Sequence, residues 1–271
     1  MRTTLYAAII VSCICGLGCQ VVIADDCSYT AHREATIDGS GAERLVISVG
    51  AGSLDVKGDQ GMSQVNASGT ACASDEDYLD QIRLTTDRRG NTLYLKAEYP
   101  THVRGNAALD LVVEVPASLA VEIEDGSGSI TVRSVAALEI DDGSGSIDVG
   151  DVRGDVEIDD GSGEIEVLGV GGRVVVDDGS GALKVTGVGG SVRVSDGSGE
   201  IVLRDIDGEV LIEEDGSGGI EISGVGASVV IDEDGSGSIS VRDVEGDFTL
   251  RRDGSGSVSV DDVRGSVSIP D

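Results

Sequence analysis

The tetrapeptide Asp-Gly-Ser-Gly occurs eight times in the chain, with its Asp at positions 125, 142, 160, 178, 196, 215, 234 and 253. Short acidic, glycine-rich turns serve serine nucleophiles, phosphate cradles and calcium sites, so each chemistry has to be tested against the spacing. A nucleophile elbow fails, because the Ser is not in Gly-x-Ser-x-Gly order and the two histidines, His32 and His102, both lie upstream of the repeat. A dinucleotide loop fails because a strand pattern rather than a helical one follows. The calcium-binding nonapeptide roll is closer, yet it needs an Asp two residues after its second repeated Gly, where this chain has Ile147 and Ile165.

One local match survives. Asp232, Asp234, Ser236, Gly237, Ile239 and Asp243 fall at positions 1, 3, 5, 6, 8 and 12 of an EF-hand-like loop. Asp232, Asp234, Ser236 and Asp243 are therefore the candidate metal ligands, with calcium the candidate ion, although strands rather than helices flank them. No other cofactor is expected. The plainer expectation is that each repeat Asp accepts the backbone N–H groups of its own Gly-Ser turn.

The elements that carry these turns follow from the repeat. Successive Asp residues are 17, 18, 18, 18, 19, 19 and 19 apart. Each unit reads φ-x-φ, one or two residues, Asp-Gly-Ser-Gly, any residue, then φ-x-φ-x-x-φ, as Val156 to Val170 shows. The φ-x-φ segments are short period-2 strands, and Gly-Ser-Gly supplies the bend. So small a unit cannot bury its own apolar face, and consecutive units must stack as coils of a β-solenoid. The fold class is all-β, a parallel β-helix of 17–19-residue coils.

Stacking predicts two inward columns. One runs Ile123, Ile140, Ile158, Val176, Val194, Ile212, Ile231, Leu250 and Ile269; the other runs Val135, Val152, Val170, Val188, Ile206, Val225, Val244 and Val263. It also stacks eight Asp residues about 4.8 Å apart, where like charges repel by about 1 kcal/mol per pair even in bulk water. Glu124, Asp141, Asp159 and Asp177 form a second acidic column beside them.

Composition agrees. Aromatics make up only 2% of the chain, so a core must be aliphatic, as a narrow solenoid interior requires. A net charge of −31 excludes nucleic acid as a partner and disfavours anionic membrane surfaces. The charged fraction is an ordinary 25% and the apolar residues are patterned, which excludes an acidic disordered chain.

Residues 1–24 read as an export signal: Arg2, an apolar stretch from Leu5 to Gly18, and Val22-Ile23-Ala24 at the cleavage point. Ile10-Val11-Ser12 before Cys13, and Gly16-Leu17-Gly18 before Cys19, offer lipid-anchored alternatives. Cleavage leaves Cys27 and Cys72, which in an oxidising compartment are expected to form one disulfide. Residues 25–120 are expected to be a cap with degenerate coils. Within them are a short helix from Ser74 to Ile82 capped by Ser74, a hairpin from Arg83 to Glu98 turning at Arg89-Gly90-Asn91, and a strand from Ala108 to Val115 running into the first full repeat. Residues 121–271 are the regular solenoid. Pro270 and Asp271 are expected to deny ladder bonds at its end, so the rod is expected to be monomeric.

The export signal, the degenerate coil around Gly50-Ala51-Gly52-Ser53, the strand Leu109-Asp110-Leu111-Val112-Val113-Glu114-Val115-Pro116 and the repeated Gly-Ser-Gly-x-φ-x-φ turns together resemble the bacterial putative-adhesin family. The resemblance covers most of the mature chain. It implies a single-stranded parallel β-helix exported to the cell envelope, and it brings no catalytic motif.

The expected function is a non-enzymatic, periplasmic or secreted binding or scaffold module, with an envelope or surface protein or a glycan as partner and no transmembrane span in the mature chain. Alternatives are a calcium-responsive acidic rod and a carbohydrate-active β-helix. The second needs loop insertions that coils of near-constant length do not supply. The outward column Glu122, Glu139, Glu157, Val175, Arg193, Leu211, Val230, Thr249 turns from acidic to mainly apolar halfway along. Val175, Arg193, Leu211 and Val230 are therefore the candidate contact patch.

Overall fold

The computed structural model describes residues 27–270; the expected export signal and its lipidation cysteines lie outside them, as does Asp271. The first strands are β1 (Tyr29–Asp38), β2 (Arg44–Ser48), β3 (Leu54–Asp59) and β4 (Gln64–Ala73). A single helical turn, α1 (Glu76–Leu79), precedes β5 (Arg83–Arg89), β6 (Thr92–Glu98) and β7 (Ala107–Pro116). The regular coils open with β8 (Ala120–Asp125) and β9 (Gly128–Arg133), one strand on each side of the first Asp-Gly-Ser-Gly turn.

From there the chain repeats the β8–β9 pattern to Val267–Ser268, and the strands sort into two 12-stranded sheets. Strands that precede the tetrapeptide form a leading sheet, and strands that follow it form a trailing sheet. Pairing between coils is parallel and keeps equivalent residues level: Ile140 lies beside Ile123 and Ile158, and Val167 beside Val149 and Val185. The two sheets face each other across one continuous aliphatic core. Every residue of the first inward column from Ile123 to Leu250 is buried, as is the second column from Val135 to Val244. Ile269 departs from the expected pattern. It lies beyond the last two-residue strand and is 43% exposed, because no further coil covers it.

The cap extends both sheets in a way the repeat does not announce. The trailing sheet begins β1-β4-β7-β3-β9, and the leading sheet begins β5-β6-β2-β8. Residues 44–59 therefore form the coil directly beneath the first regular one, although residues 92–116 are nearer to it in sequence. The strand over 107–116 leads into the first repeat as expected, but it pairs with β3 and β4 rather than with the strands of that repeat. Its chain continues into β8 by stepping over the β2–β3 coil. At the far end the direction reverses: β1·β4, β4·β7 and β5·β6 are antiparallel.

Cys27 and Cys72 are joined, with Cα atoms 5.3 Å apart. Thr30 of β1 is the register partner of Cys72 in β4, so the bridge pins the start of the outermost strand to its neighbour. Edge strands need such restraint, and closing the 45-residue separation contributes on the order of 4 kcal/mol in chain-entropy terms. The helix is shorter than expected and its cap is Asp75, whose carboxylate accepts the Asp77 N–H at 2.8 Å. Ser74 is engaged elsewhere, its N–H donating to the Asn106 carbonyl at 3.0 Å. The Arg33 guanidinium then takes the carbonyls of Leu79 and Ile82 at 2.8 and 2.6 Å, closing the turn. No helix among the described residues is long and apolar enough to cross a membrane.

Candidate functional site

In the unit Val156-Glu157-Ile158-Asp159-Asp160, strand alternation that buries Val156 and Ile158 also turns Asp160 inward and Asp159 outward. The same parity holds for Asp125, Asp142, Asp178 and Asp196. The later coils carry one extra residue. A register shift beside Val194 and Ser195 absorbs it and returns Asp215 to the inner face. Asp142, Asp160, Asp178, Asp196, Asp215 and Asp234 are consequently only 0–3% exposed. Asp125 is half-buried and Asp253 is exposed. The neighbouring Glu124, Asp141, Asp159 and Asp177 face solvent.

The turns satisfy one oxygen of each early Asp, as the sequence suggested. Oδ1 of Asp142, Asp160, Asp178 and Asp196 accepts the N–H of the Ser two residues on, at 3.0–3.2 Å, and Asp125 accepts Gly126 N–H at 2.7 Å. Oδ2 of all five is buried with no hydrogen-bond partner, and at Asp215 and Asp234 both oxygens are. Burial is the main reason that all seven carboxyls titrate above the ordinary range, with the charge of column neighbours adding to it at several of them. Asp125 and Asp178 are pushed up to about 6 and Asp215 to about 7. Asp142, Asp160, Asp196 and Asp234 shift the same way.

The few cations serve other carboxylates. Arg193 pairs with Glu213 at 2.8 Å, Arg251 with Asp232 at 2.7 Å and Arg252 with Glu233 at 2.6 Å, while Glu221 sits between Arg204 and Arg242 at 3.1 and 2.9 Å. Among the described residues, no basic side chain pairs with a member of the inner column. A buried carboxyl column is also closed to substrate, so it is no acid–base catalytic centre.

The EF-hand-like set is not gathered into one place. Asp234 belongs to the buried column and Asp232 is tied to Arg251. Ser236 lies in the exposed turn. Asp243 is carried off by the extended strand Gly237–Val244, which at about 3.3 Å per residue puts it roughly 20 Å along the coil. A calcium loop must curl its ligands around the ion, whereas residues 237–242 are held extended by their ladders to the coils on either side, and the chain bends only at Asp243, where φ is 56°. Among the described residues no three His, Cys, Asp or Glu side chains converge as a metal-ligating group.

Val175, Arg193, Leu211 and Val230, by contrast, are brought together. They are successive register partners on the outer face of the leading sheet, with Thr249 next in line. Val175, Leu211 and Val230 are half-buried and Arg193 is exposed. A shallow groove of about 390 Å³, lined by Glu157, Arg173, Val175, Ser191 and Arg193 among others, opens at one end of the row.

No protein-family model matches the chain, and no curated protein matches it. Several solved structures are similar to it. One is a putative cell adhesion protein from Clostridium sporogenes, at 13% identity over 89% of this chain and 98% of that one, with a TM-score of 0.35. A putative adhesin from Parabacteroides distasonis is 11% identical over 89% and 96%, with a TM-score of 0.43. A putative lipid binding protein from Parabacteroides distasonis is 18% identical over 90% and 98%, with a TM-score of 0.38.

Proposed function

We propose that the chain is an exported, non-enzymatic binding rod of the cell envelope or its surroundings, and that it meets its protein or glycan partner with the outer face of the leading sheet. The observation that carries this reading is the contrast between the two faces of the leading strands. Their inner positions repeat almost without variation, while the outer row changes from Glu122, Glu139 and Glu157 to Val175, Arg193, Leu211 and Val230 in unbroken register. A continuous row of aliphatics with one arginine on a solvent-facing sheet is the kind of apolar surface that a protein partner covers. Coils of near-constant length leave no inserted loops to wall a catalytic cleft. Residues 1–24 support export, and the Cys27–Cys72 bridge fits an oxidising compartment.

Placing charges on the row tests the reading. Leu211→Asp combined with Val230→Asp should weaken binding of the mature protein to isolated cell envelopes by about tenfold or more. Both side chains are half-exposed, so the melting temperature should stay near that of the parent. Undiminished envelope binding by the folded variant, or a parent that binds no envelope component, would contradict it.

A further inference from the structure

We infer that the inner Asp column is a proton-binding site, in which neighbouring carboxyls of successive coils share protons through O–H···O bonds running along the rod. The geometry comes first. Asp125, Asp142, Asp160, Asp178, Asp196, Asp215 and Asp234 are register partners one to the next, about 4.8 Å apart along the ladder. In each of the first five, one oxygen is occupied by the turn and the other is buried and unpartnered. An ionised carboxylate only accepts hydrogen bonds, so a fully charged column would leave every one of those oxygens orphaned in an aliphatic interior. A protonated carboxyl is a donor, and the carboxyls of the coils above and below stand in register with it. Asp215 and Asp234 are the strongest pair, since both oxygens of each are buried without a partner and the two side chains lie within hydrogen-bonding reach of one another.

The groups facing the column offer no substitute. The adjacent carboxylates of the leading strands, Glu124, Asp141, Asp159, Asp177 and Glu214, point to solvent on the opposite face, with Glu213 and Glu233 engaged by Arg193 and Arg252 and Asp232 by Arg251. At the capped end Tyr99 donates its hydroxyl to the Ala51 carbonyl at 3.2 Å, near Asp125. Asp253 continues the column on the other side. The inward residues of the trailing strands are aliphatic, Ile147, Val149, Ile165 and Val167 among them. Calcium would need six to eight oxygens around each ion, whereas the early coils each supply one free oxygen. Protons need only one acceptor each, and they come from solvent as the chain folds. The upward displacement of all seven carboxyls has the sign this arrangement requires.

Carboxyl-carbon NMR of aspartate-labelled protein, titrated from pH 8 to pH 4, reads the site directly. A distinct set of resonances should titrate at about pH 6–7, well above the ordinary 3.8, and Asp215→Asn with Asp234→Asn should remove two of them, the one titrating at about 7 included. Asp178→Asn provides a second variant if the double one does not fold, and it should remove a single resonance. Parent resonances that all titrate near 4 would overturn the inference. So would column resonances that ignore pH and move on addition of millimolar calcium, which would make the occupant a metal ion.

Discussion

Gly181→Ala should prevent the middle of the rod from closing, at a cost above about 4 kcal/mol, the range reserved for severe steric lesions. Gly181 is the second glycine of its turn, with φ at +152°, and an added Cβ would lie 1.5 Å from the carbonyl oxygen of Gly163 on the coil below. That oxygen is backbone, locked in the ladder, so it cannot move aside. The same approach recurs at every turn from Gly128 to Gly256, with distances of 1.4–1.8 Å. These glycines let consecutive turns sit directly on one another, with Gly181 N–H donating to the Ser198 carbonyl at 2.9 Å. Gly219, one position beyond the same turn element, has nothing within 3.7 Å of its would-be Cβ, the nearest atom being at 3.8 Å. Gly219→Ala should therefore be neutral or stabilising by about 0.4–1 kcal/mol, through the loss of chain entropy in the unfolded state. Urea unfolding of the pair should separate them widely, and coincident midpoints would refute the stacked-turn account.

Acidification from pH 8 to pH 5 should stabilise the protein, by on the order of 5 kcal/mol and a melting temperature about 10 °C higher. A carboxyl whose folded pKa lies above its unfolded value favours folding fully below the unfolded value, and that contribution is lost as pH rises through the folded one. For the inner column the window runs from the ordinary 3.8 up to about 6 at Asp125 and Asp178 and about 7 at Asp215. Between pH 8 and pH 5 a group titrating at about 6 contributes about 1.4 kcal/mol and one at about 7 about 2.7 kcal/mol, so Asp125, Asp178 and Asp215 together account for the expected gain. Groups of opposite sign do not intrude. Asp38, Asp87 and Glu221 are held below their ordinary values by hydrogen bonds from Ser40, Arg89 and Arg242, so their contributions fade only at still lower pH. Asp178→Asn should flatten the profile. Stability that falls between pH 8 and pH 5 would show that the turn N–H groups outweigh burial.

The parts of this architecture that were legible in the sequence are those that repeat. A φ-x-φ segment has one solution once stacked, and the coil length, the two aliphatic columns and the level row of Val175, Arg193, Leu211 and Val230 follow from it. The burial of the Asp column was encoded too, since Val156, Ile158 and Asp160 share one parity. It is hidden by the habit of assigning Asp to the turn, and in later coils by the extra residue before Asp215. The four candidate ligands fitted an EF-hand-like spacing, but spacing carries no information on curvature, and the chain after Gly237 stays extended as far as Arg242. The cap was least legible. Its strands occur once each, so nothing in the chain signals that residues 44–59 lie next to the first regular coil while residues 92–116 lie beyond them.

The central claim is that each Asp-Gly-Ser-Gly unit is one coil of a rod, and a spin-label ruler tests it most directly. Ser129, Glu164 and Ser238 are exposed and occupy one column of the trailing sheet, just after the turn. Labels on cysteines replacing Glu164 and Ser238, four coils apart, should lie about 19 Å from each other, and labels at 129 and 238, six coils apart, about 29 Å. The increment of about 5 Å per coil is the predicted result. Separations that fail to grow with the number of intervening units would contradict the solenoid and everything built on its columns.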